Sequence, residues 1–272
     1  MTIRQFLPNH SLKNEVDYIW AVTIENMTEA NQNDIIMPLG HVNIIFNFAS
    51  RYYMIDKNQG LLIPDAAIIG QIKNAKHVRY GETVDQIGIS LKPAGVLACL
   101  QTPSIALTEK IVAADTVSSS LDALYTAVEE AESMPQRIEK IYAYLEQCCT
   151  AGREDNRGRY ERVVEMTAYV ETYWEALNIS AMAAYFNVSV SALERFFKKY
   201  VGLSPKAYGE IIKFRKNVED ESLRKDIKSQ YYDQSHLIKQ TKKMSGKTAG
   251  TLERVQDELT LHYLIKGEPP SQ

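Results

Sequence analysis

Residues 179–201, ISAMAAYFNVSVSALERFFKKYV, leave little freedom in how this chain folds around them. Ser180 can cap a short helix ending near Phe186, Asn187 can take the left-handed backbone of a tight turn, and Ser189 can cap the helix that follows. On a wheel of about 100° per residue, Leu193, Phe196, Phe197 and Tyr200 gather on one side of that second helix, and Ser191, Glu194, Arg195, Lys198 and Lys199 on the other. One face must be buried and the other is polar and mostly basic, as a helix-turn-helix requires. An ordinary amphipathic helix with a solvated face gives the same wheel; the capped turn before it favours a helix that enters a groove.

Set in a major groove, such a helix offers Ser191, Glu194 and Arg195 near its N-terminus to base edges and keeps Lys198 and Lys199 close to phosphates. Arginine can bond bidentately to guanine, and glutamate can accept from cytosine. Charge is distributed accordingly. The net charge of -3 divides, after Asp155, into a first part with 12 Lys+Arg against 19 Asp+Glu and a second with 19 against 15. Only the second part suits a polyanion.

Upstream, the period changes. Val42, Ile44, Phe46 and Phe48 alternate with His41, Asn43, Ile45 and Asn47, the signature of a half-buried strand. Further strands are expected at residues 52–55, 61–63, 67–70 and 86–91, and residues 121–148 form two helices with Pro135 near the start of the second. Residues 149–159, CTAGREDNRGR, lose apolar periodicity and crowd glycines with charges. Beyond them residues 163–174, 181–186, 192–200 and 205–216 read as helices. The expected fold class is therefore α+β, an N-terminal β-rich barrel or sandwich with a helical hairpin followed by an all-α domain. Residues 1–150 are expected to form the first domain, 151–158 the linker and 159–272 the second domain.

A gapless internal repeat lies 44 residues on: SVSALERFFKKYVG at residues 189–202 aligns with DQSHLIKQTKKMSG at residues 233–246. Two related helices can read one DNA face in grooves about 34 Å apart. With its leucine-arginine-phenylalanine spacing at Leu193, Arg195 and Phe197 and its Gly202-Leu203-Ser204-Pro205 ending, the segment over residues 160–250 resembles the AraC/XylS family of bacterial transcription regulators. That family's DNA-binding domain carries two helix-turn-helix units. The resemblance implies that Ser191, Glu194 and Arg195 face the groove in the first unit, and Gln234, Ser235, Ile238 and Lys239 in the second, with Lys242 and Lys243 on phosphates. It also implies double-stranded operator DNA as the partner, a small-molecule or protein effector at the N-terminal domain, RNA polymerase as a candidate further partner and a homodimer.

The second unit departs from the pattern. The interval before it is about ten residues short, and the positions matching the four core anchors are Leu237, Gln240, Thr241 and Met244, two of them polar. It is expected to be truncated, with base readout resting on the first unit. The alternative is a degenerate relative that acts by pairing with another regulator.

Other chemistry finds few residues. His10, His41 and His77 lack histidine-x-histidine spacing, and Cys99 stands apart in sequence from Cys148 and Cys149, so neither a metal nor a cofactor is expected. No glycine-rich phosphate loop or glycine-x-serine-x-glycine elbow occurs, which excludes the familiar enzyme readings. Trp20, Tyr52 and Tyr53 can line a ligand pocket or simply fill the core. No apolar run reaches the roughly 18 residues of a membrane span, and a cytoplasmic protein is expected.

Overall fold

A computed structural model of the chain describes residues 2–29, 32–56, 59–219 and Met244. Among the described residues, ten strands form two antiparallel sheets. The larger contains β1 (Thr2–Phe6), β2 (Val16–Ile24), β9 (Val84–Leu91), β4 (Val42–Asn47), β7 (Ala66–Ile69) and β10 (Ile111–Ala113), in that order. The smaller runs β3 (Asn33–Ile36), β8 (Lys76–Arg79), β5 (Tyr53–Asp56) and β6 (Gln59–Leu62).

The larger sheet is buried on both faces. Along β2, Ile19 and Ala21 join a core with Ile44, Phe46, Ile87 and Ile89, while Tyr18, Trp20 and Val22 join another with Met54, Ile63 and Val78. The second of these lies between the sheets and makes the domain a sandwich. The first lies against the helices α1 (Pro93–Cys99), α2 (Ser119–Glu129) and α3 (Met134–Asp155). The helical hairpin is thus the third layer, and its buried stripe of Leu121, Leu124, Val128, Ile138, Ile141 and Leu145 covers the outer face of the sheet.

Double burial explains why β4 was only partly legible. Its burial does not alternate, because Ile45 faces the smaller sheet while Ile44 and Phe46 face the helices. His41, expected on an outward side, is buried just before that strand.

Residues 151–158, expected as the linker, span a junction of helices. α3 runs to Asp155, and α4 (Arg157–Thr172) starts one residue later, with Asn156 between them. Gly152 is the reason: a Cβ there would lie 1.8 Å from the Ala98 carbonyl oxygen, so only glycine lets α3 approach α1 this closely. The charges are used as well. Arg153 Nε lies 3.1 Å from the buried Glu15 carboxylate, which also accepts a hydrogen bond from Tyr160 on α4. The same packing brings the Cys99 and Cys148 sulfurs to 2.9 Å, with Cys149 beside them, although the sequence showed no cluster.

Further helices are α5 (Ile179–Tyr185), α6 (Val190–Tyr200) and α7 (Pro205–Glu219). With α4 they enclose a further core of Met166, Val170, Met182, Leu193, Phe197 and Ile211, to which Ile35 and Met37 of the sandwich contribute. Met244, one of the four anchor positions of the second unit, is buried in this core. No helix among the described residues is long and apolar enough to cross a membrane.

Candidate nucleic-acid interface

The site is built from the turn outward. α5 is capped by Asn178, whose Oδ1 accepts from the Ala181 N–H at 2.9 Å, two residues before the Ser180 cap expected from sequence. Asn187 takes the left-handed conformation, φ 51°, and lets the Val188 N–H return to the Ala183 carbonyl at 2.9 Å. Ser189 then caps α6, its Oγ accepting from the Ala192 N–H at 3.2 Å.

This turn fixes which face of α6 is buried. Leu193 and Phe197 are buried, and Phe196 and Tyr200 pack half-buried at the edge of the core under the sheet. Ser191, Arg195, Lys198 and Lys199 are exposed. Glu194 is half-buried beside them, 3.6 Å from Lys198 one turn on. All five residues expected at the groove in the first unit therefore share one solvent-facing side of one helix. Gln234, Ser235, Ile238, Lys239, Lys242 and Lys243 lie outside the described residues.

The C-terminal end of α6 is held by the other domain. Ser104 Oγ donates to the Tyr200 carbonyl at 2.6 Å and Thr108 Oγ1 to the Gly202 carbonyl at 3.0 Å. Gly202 has φ +86°, and a Cβ on it would fall 2.4 Å from Thr108 Oγ1, so the contact needs glycine twice over. α7 continues the contact, with Tyr208 and Ile212 against Gly40. Near its end Arg215 is buried. Its Nη1 lies 2.7 Å from His41 Nε2, 3.3 Å from the Leu39 carbonyl oxygen and 3.5 Å from Asp17 Oδ2, and its Nη2 is 3.5 Å from Glu171 Oε1. Burial opposes ionisation of Asp17, but His41, through charge and hydrogen bonding, and then Arg215 and Lys92 outweigh it and hold the carboxyl well below its ordinary range. Sequence reasoning missed this cluster, whose members are 198 residues apart at the extremes.

Inside the sandwich a cavity of about 60 Å³ is lined by Tyr18, Trp20, Asn43, Tyr52, Tyr80 and Gln86, among others. Trp20 and Tyr52 thus share a wall, while Tyr53, adjacent on the strand, faces the other way and is 37% exposed. The buried Tyr52 hydroxyl has no hydrogen-bond partner among the described residues. The space suits a few waters, at roughly 10–15 Å³ each, rather than a drug-sized ligand.

A model of a domain of unknown function (DUF6597) matches residues 4–113, most of the sandwich. No curated protein matches the chain. Among solved structures, ToxT from Vibrio cholerae O395 is similar at 8% identity over 98% of this chain and 99% of its own, with a TM-score of 0.47. A structure of unsaturated fatty acid bound wild-type ToxT from Vibrio cholerae strain SCE256 is similar at 10% identity over 93% and 97%, TM-score 0.46. The AraC-like transcriptional activator CuxR is similar at 10% identity over 72% and 80%, TM-score 0.28.

Proposed function

We propose that this chain is a sequence-specific DNA-binding transcription regulator of the AraC/XylS type and not an enzyme. The observation that carries this reading is the capped turn that holds α6 with Leu193 and Phe197 buried and Ser191, Arg195, Lys198 and Lys199 exposed. In this reading Ser191, Glu194 and Arg195 meet base edges, Lys198 and Lys199 meet phosphates, and the second unit contributes Gln234, Ser235, Ile238 and Lys239 to bases and Lys242 and Lys243 to phosphates.

Residues 1–150 then act as a sensing or dimerisation domain, 151–158 as the junction and 159–272 as the DNA-binding domain of a cytoplasmic homodimer. The similar structures include a transcriptional activator and a fatty-acid-bound structure, and control by a small molecule or protein at the N-terminal domain belongs to the same reading. An effector acts here by preferring one arrangement of the α6 contacts with Ser104 and Thr108, and changes affinity only as far as it distinguishes the two.

The test is binding of the full chain to genomic fragments, including the region upstream of its own gene, against excess nonspecific DNA at several salt concentrations. Selection of one fragment with a salt slope of several phosphate contacts is the expected result. Absence of binding overturns the reading in favour of a chain that works by pairing with another regulator.

A further inference from the structure

All three cysteines of the chain converge at a place that DNA reading does not use. Cys99 ends α1, Cys148 and Cys149 lie late in α3, and Gly152, one turn further, sets how closely the two helices approach. The three sulfurs lie within 4.8 Å of one another. Cys99 and Cys149 are buried, and half-buried Cys148 gives a route of entry. We infer that Cys99, Cys148 and Cys149 form a three-thiolate binding site for a trivalent thiophilic metalloid, arsenic(III) or antimony(III).

Geometry and charge select that class together. Sulfurs bound at about 2.3 Å to one centre sit roughly 3.5–4 Å from each other, a small adjustment of the present cluster. Thiolates select soft ions, and among the described residues the group holds three donors with no fourth cysteine, histidine or carboxylate, where a closed zinc site takes four. A trivalent centre leaves three thiolates neutral, whereas a divalent or monovalent metal leaves one or two negative charges buried, at high cost. Arg153, the cation beside Cys149, is already paired with Glu15.

The exchange balances without electron transfer. Arsenous acid, As(OH)3, loses three As–O bonds and gains three As–S bonds, and each thiol proton leaves on a departing hydroxide as water. The site is independent of the DNA reading, and its test needs no DNA.

Full-length chain, reduced with a phosphine and held without air, is titrated with arsenite and followed by ultraviolet thiolate-to-arsenic absorbance and native mass. About one arsenic per chain is expected, with all three thiols protected from alkylation. Cys148→Ser weakens binding by on the order of a hundredfold or more, since losing a ligand exceeds the roughly 10–100-fold cost of losing a group behind one. X-ray absorption on the unsubstituted chain, which needs no variant to fold, reads three As–S bonds. The inference is overturned if the reduced, folded chain takes up no arsenite, if Cys148→Ser retains full affinity, or if zinc(II) or copper(I) displaces arsenite at equal concentration. It is equally overturned by a chain that ignores arsenite and only closes a Cys99–Cys148 disulfide with peroxide.

Discussion

Gly202 shows how much one residue can carry. It closes α6 with a left-handed backbone, its own N–H reaches the Phe197 carbonyl at 3.0 Å, and it lies directly under Thr108. Gly202→Ala combines a conformational penalty with a clash and should cost about 1–3 kcal/mol, read as a lower urea midpoint with an unchanged slope. Asp17 makes the comparable case for charge. Its folded carboxyl titrates below its unfolded value, so it stabilises the protein fully above a pH of about 4 and progressively less as the pH falls below that. Asp17→Asn should therefore cost about 2 kcal/mol near neutrality, less than breaking a fully buried pair because the carboxylate is 24% exposed. The difference from the parent chain should shrink in urea titrations run below pH 4. A gap that stays constant down to pH 2 would remove Asp17's charge from the explanation.

At the scale of elements, α6 carries the sharpest functional prediction. Arg195→Ala should lower affinity for the selected fragment by about 1–3 kcal/mol and blur its preference at one base pair, whereas Lys198→Ala should weaken all fragments alike and reduce the salt slope by about one. Fluorescence anisotropy at several salt concentrations separates the two. Equal, sequence-independent losses would make Arg195 another phosphate contact. This element was legible in sequence because its signals are local. A cap reaches three residues, from Ser189 to Ala192, and a turn needs one residue able to adopt positive φ. The strands that escaped notice failed for two different reasons. Burial on both faces erases alternation, so β2 has five consecutive buried residues from Tyr18 to Val22, and β8, KHVR, is too polar to announce itself. The thiol cluster and the Arg215–Asp17–His41 group were out of reach for a third reason: each is assembled by tertiary packing from segments that share no local pattern.

For the whole molecule, the division between domains in sequence is not a division of core. Tyr160 and Val163 of α4 are buried with the sheet and its helices, while Ile35 and Met37 of the sandwich are buried with α7. Residues 159–272 expressed alone would expose these surfaces, each fully buried side chain being worth about 1.5–3 kcal/mol, and would strip Arg215 of Asp17 and His41. The isolated segment should melt about 10 °C or more below the full chain, as calorimetry would show. Equal melting temperatures would mean that the two parts fold independently.

Ser104 and Thr108 hold the carbonyls of Tyr200 and, just past the end of α6, Gly202, while Val190 and Ser191 at its start are exposed. A helix held at one end and open at the other is subject to two separate selections along eleven residues. Under the proposed function, substitutions at Ser191, Glu194 or Arg195 can retarget what the helix recognises without disturbing the clasp. Drift around Tyr200 and Gly202 can retune how firmly the domains grip one another without altering what is recognised. Lineages built on this arrangement can thus change address and sensitivity one at a time.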